Sequence, residues 1–143
     1  MRNCRRPRRG AARVGSRAVE AGAGVVVGSR LGIEVETLDE RIAVAHVRGE
    51  VDMSTTPALL ERLLPAAESG PTRLVVDLSG VAFMGAAGIH ALEEVKASLI
   101  RRGGKLAVVA PGGIPLRVLE VTRMKRALGV VPTVDAARIS LGS

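Results

Sequence analysis

The segment Leu74-Val75-Val76-Asp77-Leu78 constrains the fold most. Four apolar residues surround a single carboxylate, with Ser69-Gly70-Pro71 before the run and Ser79-Gly80 after it. So short an apolar run between turn signals reads as a strand, and one apolar on both faces belongs in the middle of a sheet. The stretches on either side have helical spacing instead. Leu59, Leu60, Leu63 and Leu64 precede it, and Ile89, Leu92, Val95, Leu99 and Ile100 follow it. A buried strand between two amphipathic helices predicts an α/β sheet with parallel pairing and right-handed crossovers.

The rest of the chain extends this pattern. Ile33, Val35 and Thr37 alternate with Glu34 and Glu36, which predicts a strand with one polar face. Asp39-Glu40 is a tight turn into a second strand, Arg41 to Arg48. There Ile42, Val44 and His46 share one face and Ala43, Ala45 and Val47 the other; Gly49 is expected to end it. Thr55 or Thr56 caps the first helix with Pro57 at its opening position, and Pro65 is expected to bend or stop that helix. Ser79-Gly80 reads as a turn. A central helix follows from about Ala86 to Arg102, with Ile89, Leu92, Val95, Leu99 and Ile100 facing inward. Gly103-Gly104 ends it. Leu106 to Val109 is a fourth strand. Pro111-Gly112-Gly113 leads to a helix burying Leu116 and Leu119, and Val130 to Val134, broken by Pro132, is an edge strand. Asp135 caps a last helix, Ala136 to Leu141. The order is β-β-α-β-α-β-α-β-α.

Charge divides the chain in two. The net charge is +7, yet residues 1–30 carry eight Arg against Glu20 alone, so the remainder is neutral. The basic character therefore belongs to a leader and says nothing about the body. Residues 1–30, rich in Arg, Gly and Ala without apolar periodicity, read as disordered, or as the product of a start codon assigned too early. Direct nucleic-acid binding is not expected, because Phe83 is the sole aromatic and bases have no stacking platform. Cys4, the one cysteine, excludes an internal disulfide and fits a cytoplasmic setting. No apolar run reaches the roughly 20 residues of a membrane span.

Catalytic signals are missing. The sequence has no phosphate loop ending in Gly-Lys-Ser/Thr, no Gly-x-Gly-x-x-Gly and no Gly-x-Ser-x-Gly elbow. Asp52 and Asp77 sit at loop and strand ends with nothing to pair with them as a general base, His46 is read as a strand histidine, and His90 as a solvent-facing residue of the central helix. The chain is expected to be no enzyme and to hold no metal or cofactor. Two loops instead leave the carboxyl ends of strands, where α/β domains meet partners: Gly49-Glu50-Val51-Asp52 and Met84-Gly85-Ala86-Ala87-Gly88. The second opens a helix, whose first N–H groups are unpaired. Gly85 and Gly88 keep this surface flat, which suits a protein better than a small molecule.

These residues resemble a known family. Arg48-Gly49-Glu50-Val51-Asp52, the run Leu74 to Met84, Gly88-Ile89, Gly103-Gly104-Lys105-Leu106 and Val121-Thr122-Arg123-Met124 together resemble the STAS domain, the anti-sigma factor antagonists of bacterial regulation. The resemblance covers nearly all of residues 31–143. It implies an α/β fold with a mixed, mostly parallel sheet and helices packed on one face. It also implies a partner, an anti-sigma factor that is a GHKL-type serine kinase. Binding it frees a sigma factor for transcription. In the family, phosphorylation of a serine at the start of the central helix breaks the complex. That motif, Asp-Ser-Ser/Thr-Gly, falls on Gly85, Ala86, Ala87 and Gly88, so Ala86 stands at the phosphoacceptor position without a hydroxyl. The expected partner-binding residues are Glu50, Asp52, Met53, Ser54 and Thr55, with Met84, Gly85, Ala86, Ala87, Gly88, Ile89 and His90. The alternative the resemblance leaves open is a scaffold or accessory subunit of a sensory complex or membrane transporter.

Overall fold

The computed structural model describes residues 30–142. The stretch read as a leader lies outside these residues, except for Arg30. Nine elements follow in the order expected: β1 (Leu31–Thr37), β2 (Ile42–Val51), α1 (Thr56–Ser69), β3 (Arg73–Met84), α2 (Ala86–Ile100), β4 (Lys105–Val109), α3 (Gly113–Val121), β5 (Val130–Val131) and α4 (Val134–Ser140). The sheet order is β1-β2-β3-β4-β5. The β1–β2 pair is antiparallel, and every later pair is parallel. This is the mixed, mostly parallel sheet the patterning predicts, with β3 at its centre.

Side-chain alternation along the strands builds two cores. Ala43, Ala45, Val47, Leu74, Val76, Leu78, Leu106 and Val108 face Leu59 and Leu63 of α1, Leu92, Val95 and Leu99 of α2, and Leu119 of α3. Ile42, Val44, Val75, Ala107 and Val109 point the other way, toward Ala137 and Leu141. The expectation of helices on one face therefore holds for α1, α2 and α3, whereas α4 covers part of the opposite face. Its cap is Thr133, whose side chain accepts from the Ala136 N–H, rather than Asp135.

Several boundaries move for physical reasons. Ser79-Gly80 does not turn the chain. β3 runs on to Met84, and a register shift against β2 between His46 and Arg48 absorbs the extra residue. Gly49 does not end β2 either. It sits at φ 104°, and a second shift beside it carries the strand to Val51. Pro65 does not stop α1, which runs on to Ser69. Leu59, Leu63 and Ala67 are buried on both sides of the proline, and Arg102 donates to the carbonyls of Ala67 (2.7 Å) and Gly70 (2.8 Å) at the helix end. Ile100, expected inside, is 55% exposed because α2 ends there. The last strand is two residues long, since Pro132 cannot extend the ladder.

Candidate partner-binding surface

The two loops singled out from sequence leave adjacent strands and meet. Val51 pairs with Met84 at the end of the β2–β3 ladder, and the Gly85 N–H donates to the Val51 carbonyl at 3.0 Å. Residues 50–55 and 84–90 therefore meet at the carboxyl ends of the strands; Glu50, Asp52, Met53, Ser54, Gly85, Ala86, Ala87 and His90 reach the surface there, whereas Thr55, Met84, Gly88 and Ile89 are buried beneath it.

Two glycines make the approach possible. A Cβ on Gly49 would fall 2.1 Å from the Arg30 carbonyl oxygen, at a φ that L side chains rarely adopt. A Cβ on Gly88 would fall 2.7 Å from Met84 Cγ and 2.8 Å from Val51 Cγ1, so α2 sits directly on these two buried side chains. Gly85 is different. Its backbone is extended, and a Cβ would meet only Phe83 carbons at 3.6 and 3.8 Å. A side chain fits there, and α2 simply lacks a side-chain cap. Ala86 and His90 are exposed at the helix start, while Ile89 turns into the core.

The other loop is held by Asp52. Its Oδ1 accepts from the Ser54 N–H (2.9 Å), the Ser54 hydroxyl (2.7 Å) and the Thr55 N–H (3.1 Å). Thr55, buried, accepts from the Asp52 N–H and donates to the Glu50 carbonyl, each at 2.9 Å. The Ser54 hydroxyl leads in lowering the Asp52 carboxyl to about 2; desolvation opposes it, and the loop N–H groups and Arg30 assist. Asp52 thus shapes the loop from within.

Arg30 completes it. Its guanidinium donates to Glu50 Oε1 (3.1 and 3.2 Å), to Ser54 Oγ (3.0 Å) and to Asp52 Oδ2. Assigned to the leader from sequence, Arg30 is joined to the body. No local pattern could have shown this, because the contacts span 20 to 24 residues. Phe83 was also missed as a site residue. It is 45% exposed beside Gly85, and Met53 on the neighbouring loop is 83% exposed. Asp77 Oδ2 lies 2.9 Å from His46 Nδ1.

The described residues thus form a mixed α/β domain in which two loops meet at the carboxyl ends of adjacent parallel strands. The chain belongs to the STAS domain family, whose model matches residues 33–137. It is 31% identical over 96 residues to the anti-sigma-F factor antagonist RsfB of Mycobacterium tuberculosis, covering 67% of this chain and 78% of the relative. It is 34% identical over 95 residues to the putative anti-anti-sigma factor Rv2638 of the same species, with 64% of each chain covered. Among solved structures, an anti-sigma factor antagonist from Mycobacterium paratuberculosis superposes with a TM-score of 0.73 at 30% identity, covering 83% of this chain and all of that one. Unphosphorylated SpoIIAA, at 14% identity and a TM-score of 0.65, covers 76% of this chain and 94% of its own, and shares the fold.

Proposed function

We propose that this chain is a non-catalytic regulator that docks on an anti-sigma factor of the GHKL serine-kinase type. The anti-sigma factor is thereby held away from its sigma factor. The observation that carries this reading is the single surface formed by residues 50–55 and 84–90, joined by the Gly85–Val51 hydrogen bond. Its form supports a protein partner. Exposed Met53 and Phe83 offer apolar anchors beside a polar loop that its own hydrogen bonds hold in shape before any partner arrives. The names of its relatives support an anti-sigma factor as the partner, and its GHKL-kinase type rests on the family resemblance.

Phosphate does not enter this surface at residue 86. Ala86 is exposed in the first turn of α2, where a kinase would reach a hydroxyl, and has none. Regulation then lies in abundance, in the partner, or at another residue. We place this function in the cytoplasm; among the described residues no helix is long and apolar enough to cross a membrane. Affinity capture with the full chain from extract of its own host tests the reading. The expected catch is a GHKL-type kinase, lost with Met53→Asp or Phe83→Asp. Recovery of a transporter ATPase or a sensory complex instead would favour the scaffold role.

A further inference from the structure

Away from the docking surface, titratable side chains gather on the sheet face that α4 partly covers. His46 in β2 stands between two carboxylates from the neighbouring strands. Nδ1 lies 2.9 Å from Asp77 Oδ2 of β3, and Nε2 lies 3.1 Å from Glu36 Oε1 of β1. A neutral imidazole has one N–H and one lone pair, so it donates to one of these carboxylates and turns a lone pair toward the other. The imidazolium donates to both. We infer that Glu36, His46 and Asp77 form a proton-operated clasp on the edge strand β1, closed while the ring holds both protons.

The two sides of the clasp are unequal. Asp77 is fixed, its side chain 12% exposed and its Oδ1 accepting from the Ser79 N–H at 3.0 Å. Glu36 is 56% exposed. When the ring loses a proton it keeps its N–H on Asp77, and the Glu36 contact opens. Among the described residues β1 is a sheet edge, with β2 as its ladder partner. The same strand begins next to Arg30, whose guanidinium bridges Glu50, Asp52 and Ser54. Two side-chain ties thus bind β1, one near each end. Releasing the first increases fraying of the strand that carries the second.

The surrounding charges favour the closed form. β1 also presents Glu34 directly opposite His46 in the ladder. On β2, Arg48 opposes them, but its guanidinium lies over Gly32, where a Cβ would come 2.8 Å from Cζ. α4 packs around Ile42 and Val44 farther along this face, with its charged Asp135 and Arg138 exposed. Burial alone would lower the His46 pKa; hydrogen bonds to Glu36 and Asp77 and their charges outweigh it, and the value is raised. The sign follows. The clasp contributes fully below the ordinary histidine value of about 6.5 and is lost as pH rises through the higher folded-state value. Its link to docking rests on the function proposed above; the clasp itself does not.

An NMR pH titration of the full chain without partner tests it. His46 should titrate above about 6.5, and the amides of β1 and of residues 50–54 should shift with the same midpoint. Above that midpoint, β1 amide exchange, corrected for its intrinsic pH dependence, should be about three- to tenfold less protected, the effect of one modest hydrogen bond. Glu36→Gln, a change at an exposed position, should lower the His46 midpoint, and His46→Gln should abolish the β1 step. A His46 midpoint at or below the ordinary value, or a titration that leaves β1 unmoved, overturns the clasp. Failure to capture an anti-sigma factor at any pH would count against the docking reading instead.

Discussion

Gly88 shows how one absent side chain sets the geometry of a surface. Any Cβ there enters the space of Met84 Cγ and Val51 Cγ1, and both side chains are buried, 1% exposed. Gly88→Ala gains about 1 kcal/mol of helix propensity but overpacks a filled site, which typically costs about 1–3 kcal/mol. The expected net result is destabilisation on urea unfolding, with Met84 and Val51 methyl signals displaced. Equal or greater stability would contradict the packing described. The pattern Met84-Gly85-Ala86-Ala87-Gly88 was legible as a flat loop, but its two glycines do different things. Gly88 is required by contact, and Gly85 is not. That difference depends on which buried side chains the helix lands on, and those lie up to 37 residues away in sequence.

Among the elements, helices and strands with strong periodicity form where the sequence predicts them, and departures fall where long-range forces override local signals. Pro65 is a helix breaker in isolation, yet buried Leu63 and Ala67 and the Arg102 caps hold α1 through it. Ser79-Gly80 is a turn by composition, but pairing with β2 keeps it extended. The end of the chain gave the largest change. Ala137 and Leu141 sit on the second core rather than beside α1 and α2. The seven residues of α4 are too few to be stable alone, so its cap and its docking act together. Thr133→Ala removes the acceptor of the Ala136 N–H and should cost about 1 kcal/mol. Amide exchange should locate the loss, with faster exchange in α4 and little change in α2. A uniform change across the chain would mean that α4 does not open as a separate unit.

For the whole molecule, the sequence placed both loops at one end of the sheet because parallel strands put their carboxyl ends together. It did not reveal Arg30 or the His46 contacts, because those join residues brought together by strand register. The chain is a STAS domain, and in the function proposed above its two-loop surface docks a partner while Ala86, which the family resemblance aligns with the switch serine, carries no hydroxyl. Gly85 has room for a side chain and Ala86 is exposed, so the double variant Gly85→Asp, Ala86→Ser should fold unchanged and restore the missing groups. The decisive measurement is calorimetric titration of the full chain and of this variant against the captured kinase, each before and after incubation with ATP. The account predicts that the native chain binds equally well in both conditions, whereas the variant binds before incubation and at least about tenfold more weakly after it, a change of about 1.4 kcal/mol. Loss of binding by the native chain after incubation, or no binding by it in either condition, would contradict the account.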